Sequence, residues 1–275
     1  MIAALVPEPG TTPIAAEYRA LIQGTARGVF DHGELRPEAY DPASVREARA
    51  RWSKRMSDEY GSTTVFSSLV ANLVEANATL DASAVVLRMA QDEFRHAEIC
   101  GRVVRALGGE ARVMRETAVR PIAQHLGCSP EERALRNVLV TAISETYSCS
   151  FFVASLDRMT DPYLRSVTRE LLADEVLHGR FGFHYLQAWS EWLEKRPEVR
   201  SSISRYLRVV FATCEREFVR EPTGRPRGFD DDALGLVTSD AAREIFTETM
   251  EKAVAPGLER FGLDGLRAWR TRSLS

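Results

Sequence analysis

Apolar residues recur at three- and four-residue spacing along most of the chain, and no stretch alternates convincingly enough to read as a strand. One helical pattern runs from about Pro42 to Asn77 through "RWSKRMSDEYGSTTVFSSLVANLVEA". "TLDAS" reads as a turn with an N-cap, opening a second helix that reaches about Leu107 before "LGGEARV" breaks it. "CSPEERALRNVLV" opens a third, with Ser129 as N-cap, Pro130 in the first turn, and Glu131 and Glu132 at the positive end of the dipole. It ends near "MTDP", where Asp161 and Pro162 start a fourth helix that continues to about Lys195. A fifth spans roughly Glu198 to Arg220, "EPTGRPRGFDDD" forms a loop, and one or two shorter helices finish the chain. Residues 1–43 hold much of the proline and glycine and read as a short helix plus an irregular arm. The reading is all-α: an arm (1–43), a four-helix bundle (44–195) with two hairpins and a long crossover at 108–129, and a helical extension (196–275).

Two of these helices carry the same cluster. "AQDEFRHAEICG" contains Asp92, Glu93 and His96, and "LADEVLHGRFG" repeats the order with Asp174, Glu175 and His178. One E-x-x-H is weak evidence, but these are the only two in the chain and each is preceded by Asp. Positions i and i+3 share a helix face, so Glu and His of each copy can approach one cation together. Salt bridging on a wet surface would place the clusters on polar faces. Instead Val86, Met89, Glu93, His96, Cys100 and Val104 form one stripe, and Leu164, Leu171, Glu175, His178, Gly182 and Leu186 another. Carboxylates and imidazoles in apolar stripes are very costly without a cation. Mixed oxygen and nitrogen ligands suit iron or manganese.

Di-iron carboxylate bundles complete such a site with one Glu from each remaining helix. On the third helix Glu145 is the only acid on the face shared by Ala134, Val138, Thr141, Cys149, Phe152 and Leu156. The first helix leaves two candidates. Glu59 aligns with Thr63, Phe66, Val70 and Leu73, an apolar face that favours it, whereas Glu75 aligns with Gly61, Thr64, Ser68 and Asn72. Cys149 and Thr63 lie one turn beyond Glu145 and Glu59, where they would adjoin bound oxygen. With Phe66, Phe152 and Cys100 they would line a small, mostly apolar pocket. His32, His125 and His184 are not assigned to the metal.

Across roughly 50–195 the chain resembles the ferritin-like di-iron carboxylate superfamily, which includes multicomponent monooxygenases, acyl-carrier-protein desaturases and N-oxygenases. The resemblance implies that Asp92 holds His178 and Asp174 holds His96, fixing the tautomer of each ligand. It also implies two iron ions (or manganese), O₂ and a small organic substrate to be hydroxylated, N-oxygenated or desaturated. Electrons would come from an external ferredoxin or reductase, since no flavin or nicotinamide motif is present. Cys100 stands where radical-bearing relatives carry tyrosine, and Leu171 where arylamine N-oxygenases carry a third histidine. A ferroxidase without an organic substrate is the alternative, and a purely structural metal site is a third.

Composition narrows the partners. A net charge of −3 offers no broad attraction for nucleic acid or anionic membrane, and no uninterrupted apolar run has membrane-spanning length. Cys100, Cys128, Cys149 and Cys214 form no C-x-x-C pair and suit a reducing compartment, so a cytoplasmic protein is expected, with a homodimer compatible.

Overall fold

A computed structural model describes residues 2–4, 33–114, 121–219 and 228–273. The described fold is all-α apart from one pair of short strands. Four long helices dominate: α1 (Pro42–Glu75), α2 (Leu80–Ala106), α3 (Pro130–Arg158) and α4 (Pro162–Ala188). Each starts on a side-chain cap that the local sequence dictates. Asp41 accepts from the amides of Ala43 and Ser44, Thr79 from Ala82, Ser129 from Glu132 and Asp161 from Leu164, with proline in the first turn of three of the four. Connectors at 76–79 and 159–161 fold α1 onto α2 and α3 onto α4. Contacts of α1 with α3 and of α2 with α4 join the two hairpins side by side.

The rest of the chain packs on the α3 side. α5 (Ser190–Glu194) turns into α6 (Pro197–Phe218), and α6 and α7 (Ser239–Thr249) both rest on α3. α7 continues through a π turn at Met250–Val254 into α8 (Ala255–Glu259), and α9 (Gly265–Arg270) closes the fold. The wide turn precedes Pro256, whose ring cannot fit against a carbonyl four residues back. By length and composition alone α3 could cross a membrane, but it packs on α1, α4, α6 and α7 and carries Glu145 at mid-length.

Three sequence expectations need correction. A strand pair does exist: β1 (Ile2–Ala4) runs antiparallel to β2 (Arg112–Met114), with Ala3 opposite Val113. Three residues are too few for alternation to register, and the partners lie more than a hundred positions apart. The fourth helix stops at Ala188 rather than near Lys195, because Trp189 (φ −101°, ψ 5°) leaves the helical region before α5. The fifth ends at Phe218, short of Arg220. Most of the predicted arm, with His32, lies outside the described residues, as do parts of the crossover and of the "EPTGRPRGFDDD" loop.

Candidate metal centre

Two apolar clusters fill the space between the long helices. One holds Phe66, Leu69, Met89, Val138 and Leu186, and the other Met56, Cys100, Val104, Phe152 and Leu171. Between them lie Glu59 from α1, Glu93 and His96 from α2, Glu145 from α3, and Glu175 and His178 from α4. The helical register puts Glu93 and His96 on the buried stripe of α2, and Glu175 and His178 on that of α4.

Ligand atoms of Glu59, Glu93, His96 and Glu175 all lie within 4.8 Å of one another, and so do those of Glu93, Glu145, Glu175 and His178. The two quartets share Glu93 and Glu175. His178 Nδ1 is 3.2 Å from Glu93 Oε1 and 3.4 Å from Glu175 Oε2, and His96 Nδ1 is 3.3 Å from Glu175 Oε1. Both Glu93 oxygens, Glu175 Oε2 and both histidine Nδ1 atoms nevertheless lack a hydrogen-bond partner among the described residues. Buried donors of a ligand set converging without hydrogen-bonding one another fit a cation between them. This cluster could hold a metal ion.

The outward ring nitrogens face aspartates crosswise, His96 within hydrogen-bond reach and His178 just beyond it. His96 Nε2 lies 3.2 Å from Asp174 Oδ2 on α4, and His178 Nε2 lies 3.6 Å from Asp92 Oδ2 on α2. Each aspartate is then met by an arginine. Arg88 Nε donates to Asp92 at 2.9 Å, while Arg95 donates to Asp174 and, at 2.5 Å, to Glu170. Such carboxylates orient the rings so that Nδ1 faces the cluster.

Crowding shapes the acidities. Burial pushes the carboxyls of Glu93 and Glu145 well above the usual range, and burial with the charge of Glu175 raises Glu59. Burial also opposes ionisation of Glu175, but the charges of His178 and His96 hold it well below that range. His178 overcomes its own burial through the charge of Glu175 and the Asp92 contact, and sits well above an ordinary histidine. Without cations the four carboxylates cannot all ionise together. Cations reverse that repulsion.

The first-helix alternatives separate cleanly. Glu59 belongs to the cluster, whereas the Glu75 side chain is 54% exposed and lies 3.4 Å from Arg133. A cavity of about 1200 Å³ opens beside the site between α1, α3 and α6, and Glu59, Glu93 and Glu145 form part of its wall. Phe66 and Phe152 also line it, but Thr63, Cys100 and Cys149 do not. The Thr63 hydroxyl donates to the Tyr60 carbonyl at 2.7 Å, and the Cys149 thiol donates to the Glu175 carbonyl at 3.1 Å. Cys149 is pushed up to about 12 by burial and the neighbouring carboxylates, and Cys100 is fully buried in the second apolar cluster. His125 binds Asn137 at 3.1 Å, and neither it nor His184 joins the cluster.

Sequence reasoning missed two arginines. Arg95 follows from Glu170 and Asp174, an i,i+4 acid pair on an otherwise buried face that calls for a cation. Arg55, stacked on Phe152 at 4.3 Å between ring centroid and guanidinium, has no comparable signal in the sequence. No protein-family model matches the chain, and no curated protein matches it.

Proposed function

We propose that the chain is a ferritin-like di-iron oxidoreductase that uses O₂ to oxidise a small organic molecule. Two quartets that share Glu93 and Glu175 support a pair of metal ions, with Glu59 and His96 completing one site and Glu145 and His178 the other. Four carboxylates balance two divalent cations, and the oxygen-rich set with one imidazole per metal suits iron, or manganese, better than magnesium or a thiolate metal. A bound iron pair supplies the reductive activation of O₂. In the overall reaction one oxygen atom enters a C–H or N–H bond of the substrate. The other leaves as water, taking two electrons from an external ferredoxin or reductase and two protons from solvent.

The protein's own part is to orient and to exclude water. Asp174, 3.2 Å from the outer nitrogen of His96, and Asp92, 3.6 Å from that of His178, favour an N–H there, so that each Nδ1 lone pair would be free to hold a metal. Phe66 and Phe152 present apolar surface to a substrate beside Glu59 and Glu145.

The observation that carries the oxygenase reading over the ferroxidase is the cavity wall. A route for iron needs acids leading inward, yet the acids of the α1 wall outside the ligand set are already engaged. Glu47 is paired with Arg51, and Asp58 with Lys54. Arg55, beside Glu59, would repel an incoming cation. Iron loaded anaerobically should reach two per chain and stay bound after exposure to O₂, as measured by elemental analysis after desalting. Saturation at one refutes the dinuclear reading, and turnover of many irons per chain into mineral refutes the oxygenase.

A further inference from the structure

Arg55 is the charge that the proposed metal site leaves over. Its side chain is 25% exposed, lines the cavity and lies over Phe152, with the Phe151 and Trp52 rings at 5.6 and 5.9 Å. A guanidinium held over a ring face keeps its N–H donors at its edge for an anion. The acid it meets is Glu59, whose Oε1 is 3.7 Å from Nη1 and outside hydrogen-bond reach. Resting on the dinuclear oxygenase reading, the count of charge is short. Glu59, Glu93, Glu145 and Glu175 are taken up by two divalent ions, Arg88 serves Asp92, and Arg95 serves Asp174 and Glu170. The other cations that α1 gives to the wall are committed as well, Lys54 to Asp58, and Arg51 to Glu47 and the Val237 carbonyl. Arg55 alone of these arginines then has no anion of its own, in a half-buried place where an unmatched charge is unfavourable.

We propose that the cavity binds an organic monocarboxylate with an apolar body, its carboxylate held by Arg55 and its body lying past Glu59 and Glu145 toward Phe66 and Val140. One guanidinium edge matches one planar carboxylate through two parallel N–H···O bonds. Val65, Phe66 and Val140 supply apolar wall for the body, and the volume is ample for a medium-chain or aromatic acid. Metal and substrate are then linked, because loading the metals draws Glu59 away from Arg55 and frees the guanidinium for the ligand.

Calorimetric titration of the full chain, loaded anaerobically with Fe(II), tests the assignment with octanoate, octane-1-sulfonate, octan-1-ol and octylamine. The sulfonate is a poor metal ligand, so it separates pairing with Arg55 from direct coordination. Octanoate and the sulfonate should bind more tightly than the alcohol or amine. Arg55→Gln should weaken both anions at least about tenfold while leaving the alcohol unchanged. Arg55→Lys, which keeps the charge but not the fork, should fall between, and it serves as the test variant if Arg55→Gln loses metal. The metal-free chain should bind octanoate less well than the loaded chain. Anion binding that ignores Arg55, a preference for the alcohol, or no octanoate binding at millimolar concentration overturns the inference. Elemental analysis of the same samples tells the two failures apart: fewer than two metals in the wild type defeats the dinuclear reading, whereas two metals with Arg55-independent binding defeats only this one.

Discussion

Arg95→Met isolates the cost of the buried arginine behind His96. The side chain is 2% exposed and compensates two acids at once, Asp174, which is fully buried, and Glu170, at the edge of solvent. Removing one partner of a buried ion pair costs about 3–5 kcal/mol, because the other is left unmatched in low dielectric. Glu170 can turn toward water and recover part of that, so about 3 kcal/mol is expected. For a chain of this size each kcal/mol lowers the melting temperature by roughly 2–4 °C, giving a fall of about 6–12 °C. Arg88→Met is the matched control. Arg88 holds Asp92 in the same way, but its side chain is 30% exposed, so water can enter the place it vacates. Asp92 is itself fully buried, so the loss should still cost toward the lower end of about 1–3 kcal/mol, less than that of Arg95. Thermal denaturation of both variants, followed by circular dichroism on chelator-treated protein, makes the comparison without metal binding. Equal shifts for the two variants, or an Arg95→Met shift of only about 2 °C, would refute the burial reasoning.

Glu59→Ala should lose at least one metal ion per chain while Glu75→Ala loads like wild type, read by elemental analysis; the reverse would reassign the α1 ligand. Gly182 lies one turn beyond His178 where α3 and α4 touch, and a Cβ there would come within 2.2 Å of Ala142 Cβ. Gly182→Ala should therefore destabilise by about 1–3 kcal/mol through overpacking. A Cβ on Gly179 would meet nothing closer than 3.5 Å, so Gly179→Ala should be neutral or stabilising, and urea titration of both variants checks the contrast. Stripped of metal, the protein should melt lower at about pH 8 than at about pH 6. Glu59, Glu93, Glu145 and His178 all titrate above their unfolded values, so the stability they add is complete below those values and is lost as pH rises. Glu175 is depressed, and its contribution disappears only as pH falls below the usual carboxylate range. A melting temperature that rises between the two pH values would contradict those directions.

Helix starts were legible because Thr79, Ser129 and Asp161 act locally, each capping an amide three residues on. The members of the buried Glu/His cluster were legible because a carboxylate and an imidazole three apart on an apolar stripe have few other uses. Direction along a side chain was not. Thr63 and Cys149 occupy the expected stretch of helix, but their polar hydrogens go to carbonyls, Thr63 to one in its own turn and Cys149 to one across the α3–α4 interface. The cavity was equally hidden, since part of its wall comes from Tyr206, Val210 and Leu236, far along the chain and brought in only by the packing of α6 and the segment before α7. The stop at Trp189 depends on a backbone bend that helical periodicity does not encode.

Neither ligand quartet can be assembled from one hairpin. The first draws Glu59, Glu93 and His96 from α1 and α2 but needs Glu175, and the second draws Glu145, Glu175 and His178 from α3 and α4 but needs Glu93. During synthesis, therefore, the emerging N-terminal half presents only three of its four ligands until residue 175 has left the ribosome and α4 has docked. A cation captured before then would be held incompletely and exchange freely. If the cluster holds metal, the interlock would defer commitment to it until the whole helical core exists, so that metallation would test a finished fold.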